Sequence, residues 1–209
     1  VTGKVSFQNI SYFFSIMLLK FCLMKKINRQ KRLVVFGAKK TKKFLNKGAI
    51  GIFDSGFGCI NILKSIQKRL PNYEYIYLGD NARAPYGNRS QKIIYTFTKQ
   101  SVDFLFKKNC QLIILACNTA SSQALRKIQQ EYLPKHYPKR RILGVIIPAS
   151  EKTIEITKNN KVGVIGTKAT ISSDAFEREI KKLNPKIKVF EKSCPILVKM
   201  IELGETNTK

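Results

Sequence analysis

Apolar residues along this chain fall into two alternating rhythms. Short, nearly unbroken runs at 49–54, 73–78, 111–116, 142–147, 161–166 and 187–192 have the length and composition of buried strands. Between them, at 60–70, 90–108, 120–133, 149–158, 172–183 and 196–203, apolar positions recur at helical spacing. A strand-helix rhythm of this kind predicts a mostly parallel sheet covered by helices, the α/β class.

Polar chemistry gathers where these strands end, which is where open α/β sheets bind ligands. Leu115-Ala116-Cys117-Asn118-Thr119-Ala120 places one thiol at the end of a strand and the start of a helix. The amides and positive end of a helix favour thiolate, so a lowered thiol pKa is expected there. Asn118 and Thr119 offer an amide and a hydroxyl to a small polar ligand. The competing interpretation is a buried, inert packing cysteine. Ile50-Gly51-Ile52-Phe53-Asp54-Ser55-Gly56-Phe57-Gly58 breaks from a strand into a carboxylate, a hydroxyl and two glycines. Such a turn lets backbone amides approach a ligand, although Asp-Ser-Gly is also ordinary loop chemistry. Gly79-Asp80-Asn81-Ala82-Arg83-Ala84-Pro85-Tyr86-Gly87 follows another strand and is richer in functional groups than a connection requires.

Together these segments resemble the aspartate/glutamate racemase family, and within it the glutamate racemases. The matching stretches are IGIFDSGFG at 50–58, YIYLGDNARAPYG at 75–87, ACNTAS at 116–121, LGVIIPA at 143–149 and CPILVKMIELG at 194–204. They occur in the family's order, and the GDNARAPYG loop disfavours an aspartate racemase. The resemblance implies two similar α/β domains with mostly parallel sheets flanked by helices. Residues 48–147 would form the first domain and 148–209 a truncated second one. It also implies interconversion of L- and D-glutamate without cofactor or metal, supplying D-glutamate for peptidoglycan and cell-wall biogenesis. The family uses two cysteines on opposite faces of the substrate, and Cys117 matches the first. Asp54 matches a substrate-binding residue that also assists the thiol as a proton relay. Ser55, Tyr86, Gly87, Asn118 and Thr119 match further substrate-binding positions, and Thr167 and Thr170 resemble the family threonines near the substrate carboxylate.

The family's second cysteine lies in a Cys-Thr-His motif, and these 209 residues contain none. An inactive racemase fragment is therefore an alternative to an active enzyme. Cys194 matches the family's Cys-Pro before a crossover helix and is expected to be structural. His136, in a basic stretch bearing prolines, is expected to be a solvated loop residue. Glu202 is a candidate match to a family glutamate near the site. Cys59 stands where the family usually has glycine, at the start of a helix, so a reactive role is open to it.

Charge adds a rival interpretation. Net charge is +26, and 12 of the 39 Lys and Arg but none of the 13 acids lie in residues 1–47. Such a surface binds phosphate backbones without sequence preference. The basic residues beyond 47 are scattered and match no RRM, zinc-finger or helix-turn-helix pattern, so no specific nucleic acid is expected. The apolar run at 10–24 is short and interrupted by Lys20, which does not predict a membrane span. Residues 1–47 are expected to be a basic N-terminal extension whose composition supplies no packed core, with an artefactual start as one explanation. Five cysteines with no C-x-x-C spacing indicate neither a zinc site nor a disulfide framework, and fit a reducing cytoplasm. A homodimer is compatible with the family.

Overall fold

The computed structural model describes residues 33–36, 48–56 and 58–203. Strand β2 (Ala49–Asp54) is buried along its whole length, as expected of a strand covered by helices on both faces. It pairs in parallel with β3 (Tyr75–Gly79) on one side and β4 (Cys110–Leu115) on the other. Beyond β4 lies parallel β5 (Arg141–Gly144). Beyond β3 lies β1 (Leu33–Phe36), which is antiparallel. The order is therefore β1-β3-β2-β4-β5. The sequence pattern assigned no element to Leu33–Phe36. This β-branched and aromatic run forms an edge strand because β3 offers it an open ladder.

The alternation along β2 decides which helix covers which face. Ile50 and Ile52 join Tyr75, Tyr77 and Ala116 beneath α1 (Ile60–Arg69), which contributes Ile60 and Leu63. Ala49 and Phe53 point to the other face, where α2 (Gln91–Lys107) contributes Ile94, Val102, Leu105 and Phe106. Burying each Ile, Leu, Val or Phe among them stabilises the fold by roughly 1.5–3 kcal/mol. Helix α2 begins at Ser90, whose hydroxyl accepts from Ile93 N–H. After β2 the chain turns onto the α1 face, whereas after β3 it crosses β2 on the opposite face to reach β4. The connections thus diverge above the neighbouring C-terminal ends of β2 and β4, the switch point at which open α/β sheets bind ligands.

The helical stretch after β4 is broken into α3 (Asn118–Gln123), α4 (Leu125–Lys127), a π turn (Ile128–Tyr132) and α5 (Leu133–His136). Ala124, with φ −120°, makes the first break. Gly144 allows this stretch to lie against β5, since a Cβ there would come within 2.5 Å of Leu125 and 3.0 Å of Ser121 Oγ. The strand expected at 142–147 is shorter, because α6 (Ile146–Ile156) starts directly after it.

A second sheet follows, parallel β6 (Lys161–Gly166) and β7 (Lys188–Ser193). Between them a short helix that the sequence pattern did not assign, α7 (Lys168–Ile171), precedes the expected one, which begins only at α8 (Ala175–Leu183) after Asp174 in the left-handed region at φ 51°. Helix α9 (Pro195–Leu203) comes last. Residues of β6 and β7 alternate between half-buried and exposed, and Ile165 and Phe190 lie on the open face at 51% and 59% exposure. Two strands with a bare face form a marginal unit. This chain is expected to bind a hydrophobic fluorescent dye, and Phe190→Lys to reduce the signal without moving the main melting transition. An unchanged signal would show that this face is covered.

Candidate active site

Asp54 and Cys117 come together because β2 and β4 are neighbours in register, with Phe53 opposite Leu115 and Ala116 N–H bonded to Phe53 O at 2.9 Å. Asp54, 5% exposed, accepts from Ser55 N–H at 2.8 Å through Oδ1 and from Cys59 N–H at 3.1 Å through Oδ2. The tight turn after β2 therefore wraps around its own carboxylate. Ser55 Oγ lies 3.2 Å from Cys117 Sγ. Cys117 is the N-cap of α3, and its sulfur accepts from Ala120 N–H at 3.5 Å. Cys59 Sγ donates to Ala116 O at 3.0 Å.

Electrostatics correct one expectation. Burial pushes the Cys117 thiol up to about 11, and the Asp54 carboxylate adds to this. The Ser55 hydroxyl and the Ala120 and Ser55 amides pull the other way but do not win. Desolvating a thiolate costs more here than a short helix start returns. Burial also raises the Asp54 carboxyl, against the Cys59, Ser55 and Gly56 amides. Cys59 is driven well above the ordinary thiol range by burial and then by Asp54 and Cys117, so a resting thiolate role for it is not supported.

These shifts have a thermodynamic consequence. Cys110 is likewise raised to about 11 by burial. A thiol with a raised folded pKa holds its proton longer in the native than in the unfolded chain. Its stabilisation is complete below the unfolded value near 9 and is lost as pH rises through about 11. Two such thiols correspond to roughly 2–3 kcal/mol each over that window. Urea midpoints are expected to fall steeply from pH 9 upward, and Cys110→Ala to flatten part of the slope. A flat profile between pH 7 and 10.5 would contradict this.

The loop after β3 reaches across to the second unit. Asp80, 4% exposed, accepts on Oδ2 from both Arg83 Nε and Tyr86 Oη, each at 2.5 Å. Arg83 stacks 4.2 Å over Phe97 and also donates to Gln100. The Tyr86 ring is buried between Phe53 and Phe97, and its hydroxyl is already given to Asp80, leaving backbone as its polar offering to a ligand. Gly87 O accepts from Ala169 N–H at 3.0 Å. A Cβ on Gly87 would come within 2.6 Å of Thr167 Cβ, so only glycine permits this approach.

Three hydroxyls close the other side. Thr119 Oγ1 lies 3.0 Å from Thr167 Oγ1 and 3.3 Å from Thr170 Oγ1, and the latter two are 3.0 Å apart. Gln123 donates to Ala169 O, and Arg126 pairs with Glu179, tying the same two units together. Asn118 is exposed at the first position of α3. The structure thus brings Asp54, Ser55 and Cys117 together at one point and Gly87, Thr119, Thr167 and Thr170 at another.

His136 is exposed, stacked on Tyr132, and Cys194 follows β7 with its N–H bonded to Gly166 O. The Glu202 side chain lies outside the described residues. Among the described residues, one carboxylate group with metal-ligand spacing, Asp174, Glu177 and Glu191, sits at the second sheet, apart from Asp54 and Cys117. Sequence reasoning missed Asp80, whose loop it had marked, and Tyr77, whose alternation with Tyr75 on one face of β3 was the available signal.

An open, mostly parallel sheet with a buried thiol, a carboxylate and hydroxyls at its switch point defines an α/β protein with polar chemistry where such sheets bind ligands. Residues 59–207 match the Asp/Glu/Hydantoin racemase family model. The chain is 45% identical over 160 residues to a glutamate racemase of Enterococcus faecalis, covering 77% of this chain and 56% of that one. It is 40% identical over 162 residues to one of Geobacter metallireducens, covering 77% and 57%. Among solved structures, a glutamate racemase isoform of Bacillus anthracis superposes with TM-score 0.70 and 35% identity, over 76% of this chain and 58% of that one. The Francisella tularensis glutamate racemase, solved with D-glutamate, gives 0.69 and 38%, over 79% and 60%. This chain belongs to the Asp/Glu racemase family, and it spans a little over half the length of the relatives it matches.

Proposed function

We propose that this chain carries one proton-transfer half of a cofactor-independent glutamate racemase, with Cys117 acting on one face of the substrate. The observation that supports this reading is the Cys117 thiol, buried at the switch point with Ser55 Oγ at 3.2 Å and the Asp54 carboxylate alongside. An α-hydrogen is a weak acid, so the base that removes it has to be strong and dry. A thiol titrating near 11 is thiolate in on the order of one part in 10⁴ at pH 7, and that small fraction is correspondingly basic. In the forward step the thiolate takes the α-proton and the electron pair passes into the substrate's carboxylate system. Return of a proton to the opposite face gives the other enantiomer.

Asp54 relays protons to and from the thiol, a role its raised pKa suits. Ser55, Asn118, Thr119, Thr167, Thr170 and the backbone at Tyr86 and Gly87 hold the substrate, the hydroxyls as donors to carboxylate oxygens. The product is D-glutamate for peptidoglycan, made in the cytoplasm, with a homodimer as the working assembly. Among the described residues no helix is long and apolar enough to cross a membrane.

The test is to incubate the chain with each glutamate enantiomer in D₂O and follow the α-proton by NMR. Exchange of one enantiomer, with slow interconversion, is expected from Cys117 alone. No exchange of either enantiomer by folded protein at millimolar substrate would overturn the reading.

A further inference from the structure

Beneath the turn that carries Asp54 and Ser55 lies a side chain to which neither the sequence nor the proposed chemistry assigned a role. Tyr77 is 1% exposed on β3, opposite Ile52, and its hydroxyl donates to Gly56 O at 2.9 Å. That carbonyl belongs to the turn between the two Asp54 contacts, Ser55 N–H on Oδ1 and Cys59 N–H on Oδ2. Gly79 at the end of the same strand leaves room for it, since a Cβ there would sit 2.9 Å from Gly56 O. The turn is thus fixed at three points: its carboxylate from within, Asp54 O by Asp80 N–H at 2.9 Å, and Gly56 O from below.

We infer that Tyr77 is a positioning residue of the site: its hydroxyl, bonded to Gly56 O, holds the Asp54–Cys59 turn so that Ser55 Oγ stays against Cys117 Sγ and water stays out. The inference rests on the reading of Cys117 as a proton-transfer thiol. The charges of Asp54, Cys59 and Cys117 all raise the Tyr77 phenol, after burial, which places it electrostatically within the same cluster. Its nearer neighbour Tyr75 provides an internal comparison. Tyr75 lies two residues earlier on the same face, is equally buried, and donates to Leu70 O at 2.7 Å, away from the turn. Both phenols bond a backbone carbonyl, and only one of those carbonyls is in the site.

Removing the Tyr77 hydroxyl leaves Gly56 O without its donor, and a buried acceptor in that state seeks water. The turn then loosens, Ser55 moves off Cys117, and water enters. Loss of the Ser55 contact raises the thiol pKa and hydration lowers it. Burial is the first of the causes holding Cys117 near 11, so hydration decides the sign. The titratable groups around Cys117 are Asp54 at the end of β2, Cys59 at the start of α1, Tyr77 on β3 and Tyr86 in the following loop.

The experiment compares the full wild-type chain with Tyr77→Phe and Tyr75→Phe. Alkylation of Cys117 by iodoacetamide is followed from pH 7 to 11 and resolved from the other cysteines by peptide mass mapping. Tyr77→Phe should lower the Cys117 midpoint by at least about half a unit and speed its alkylation at pH 8 about threefold or more. Tyr75→Phe should lose comparable thermal stability and keep the wild-type Cys117 profile. A Tyr77→Phe profile matching wild type, or an equal shift in both variants, makes Tyr77 merely structural and overturns the proposal. A measurement on wild type covers the case in which Tyr77→Phe does not fold. With ¹³C-tyrosine, alkylation of Cys117 should change hydroxyl-proton exchange at Tyr77 and not at Tyr75, and no change at Tyr77 overturns the proposal equally. Because alkylation reads the thiol without substrate, a Tyr77 effect without glutamate exchange sinks the racemase reading alone. Glutamate exchange without a Tyr77 effect sinks this inference alone.

Discussion

Cys117→Ala should abolish the exchange of the glutamate α-proton with D₂O, lowering its rate by about 10³-fold or more while leaving the fold intact. The magnitude is that of a general base removed from a site with no substitute. Cys59 cannot take over, since its thiol is driven far above the ordinary range and its hydrogen bond is committed to Ala116 O. Stability should change little at neutral pH, because alanine vacates one sulfur beside Ser55 and Ala120. At alkaline pH the variant should resist better than wild type, since a thiol with a raised folded pKa no longer favours unfolding. The pair of measurements is discriminating. Exchange retained within about tenfold would mean that the proton is moved by another group.

Asp54→Asn is expected to slow the same exchange by about 10²-fold and to leave stability at pH 7 equal or higher. Both carboxylate oxygens accept backbone N–H bonds, from Ser55 and Cys59, whereas an amide has one oxygen. One of those amides must then face an NH₂ group, which disturbs the turn and withdraws the relay. The stability sign follows from the direction of the shift. A carboxyl raised by burial is more protonated in the folded than in the unfolded chain at pH values above 3.8. Its contribution is favourable at low pH and is lost as pH rises from 3.8 through the folded value, so burying this carboxyl gives less stability at neutral pH than in acid. A carboxyl kept buried at such a cost is a candidate functional group. Parallel urea unfolding and α-proton exchange check both halves, and a large loss of stability with exchange intact would assign Asp54 to structure.

Much of this was legible along the chain. The apolar runs at 49–54 and 161–166 match β2 and β6 in full, and the helical spacing at 60–70 and 90–108 matches α1 and α2 to within a residue or two. Strong periodicity survives because each element buries one defined face. Elements were less legible where a single residue breaks the pattern. Ala124 divides a helix whose apolar spacing runs straight through it, and the left-handed Asp174 delays the start of another. The edge strand Leu33–Phe36 was invisible because its only reason to exist is the open ladder of β3.

By itself, the sequence determined the α/β class, the strand ends at which polar chemistry would stand, and the family, because periodicity and motif order are local properties of the chain. It also marked Cys117, Asp54 and Thr167 as candidates, though separated by up to 113 positions. Only the tertiary structure decided that β2 lies between β3 and β4, and hence that the thiol and the carboxylate stand at neighbouring strand ends. It decided, too, that the thiol pKa rises rather than falls. Local sequence supplies the helix start that favours thiolate, while the burial that outweighs it comes from elements distant in the chain. The work of Tyr77 and Asp80 has the same origin, since a hydroxyl or carboxylate gains a role only when folding delivers a partner to it.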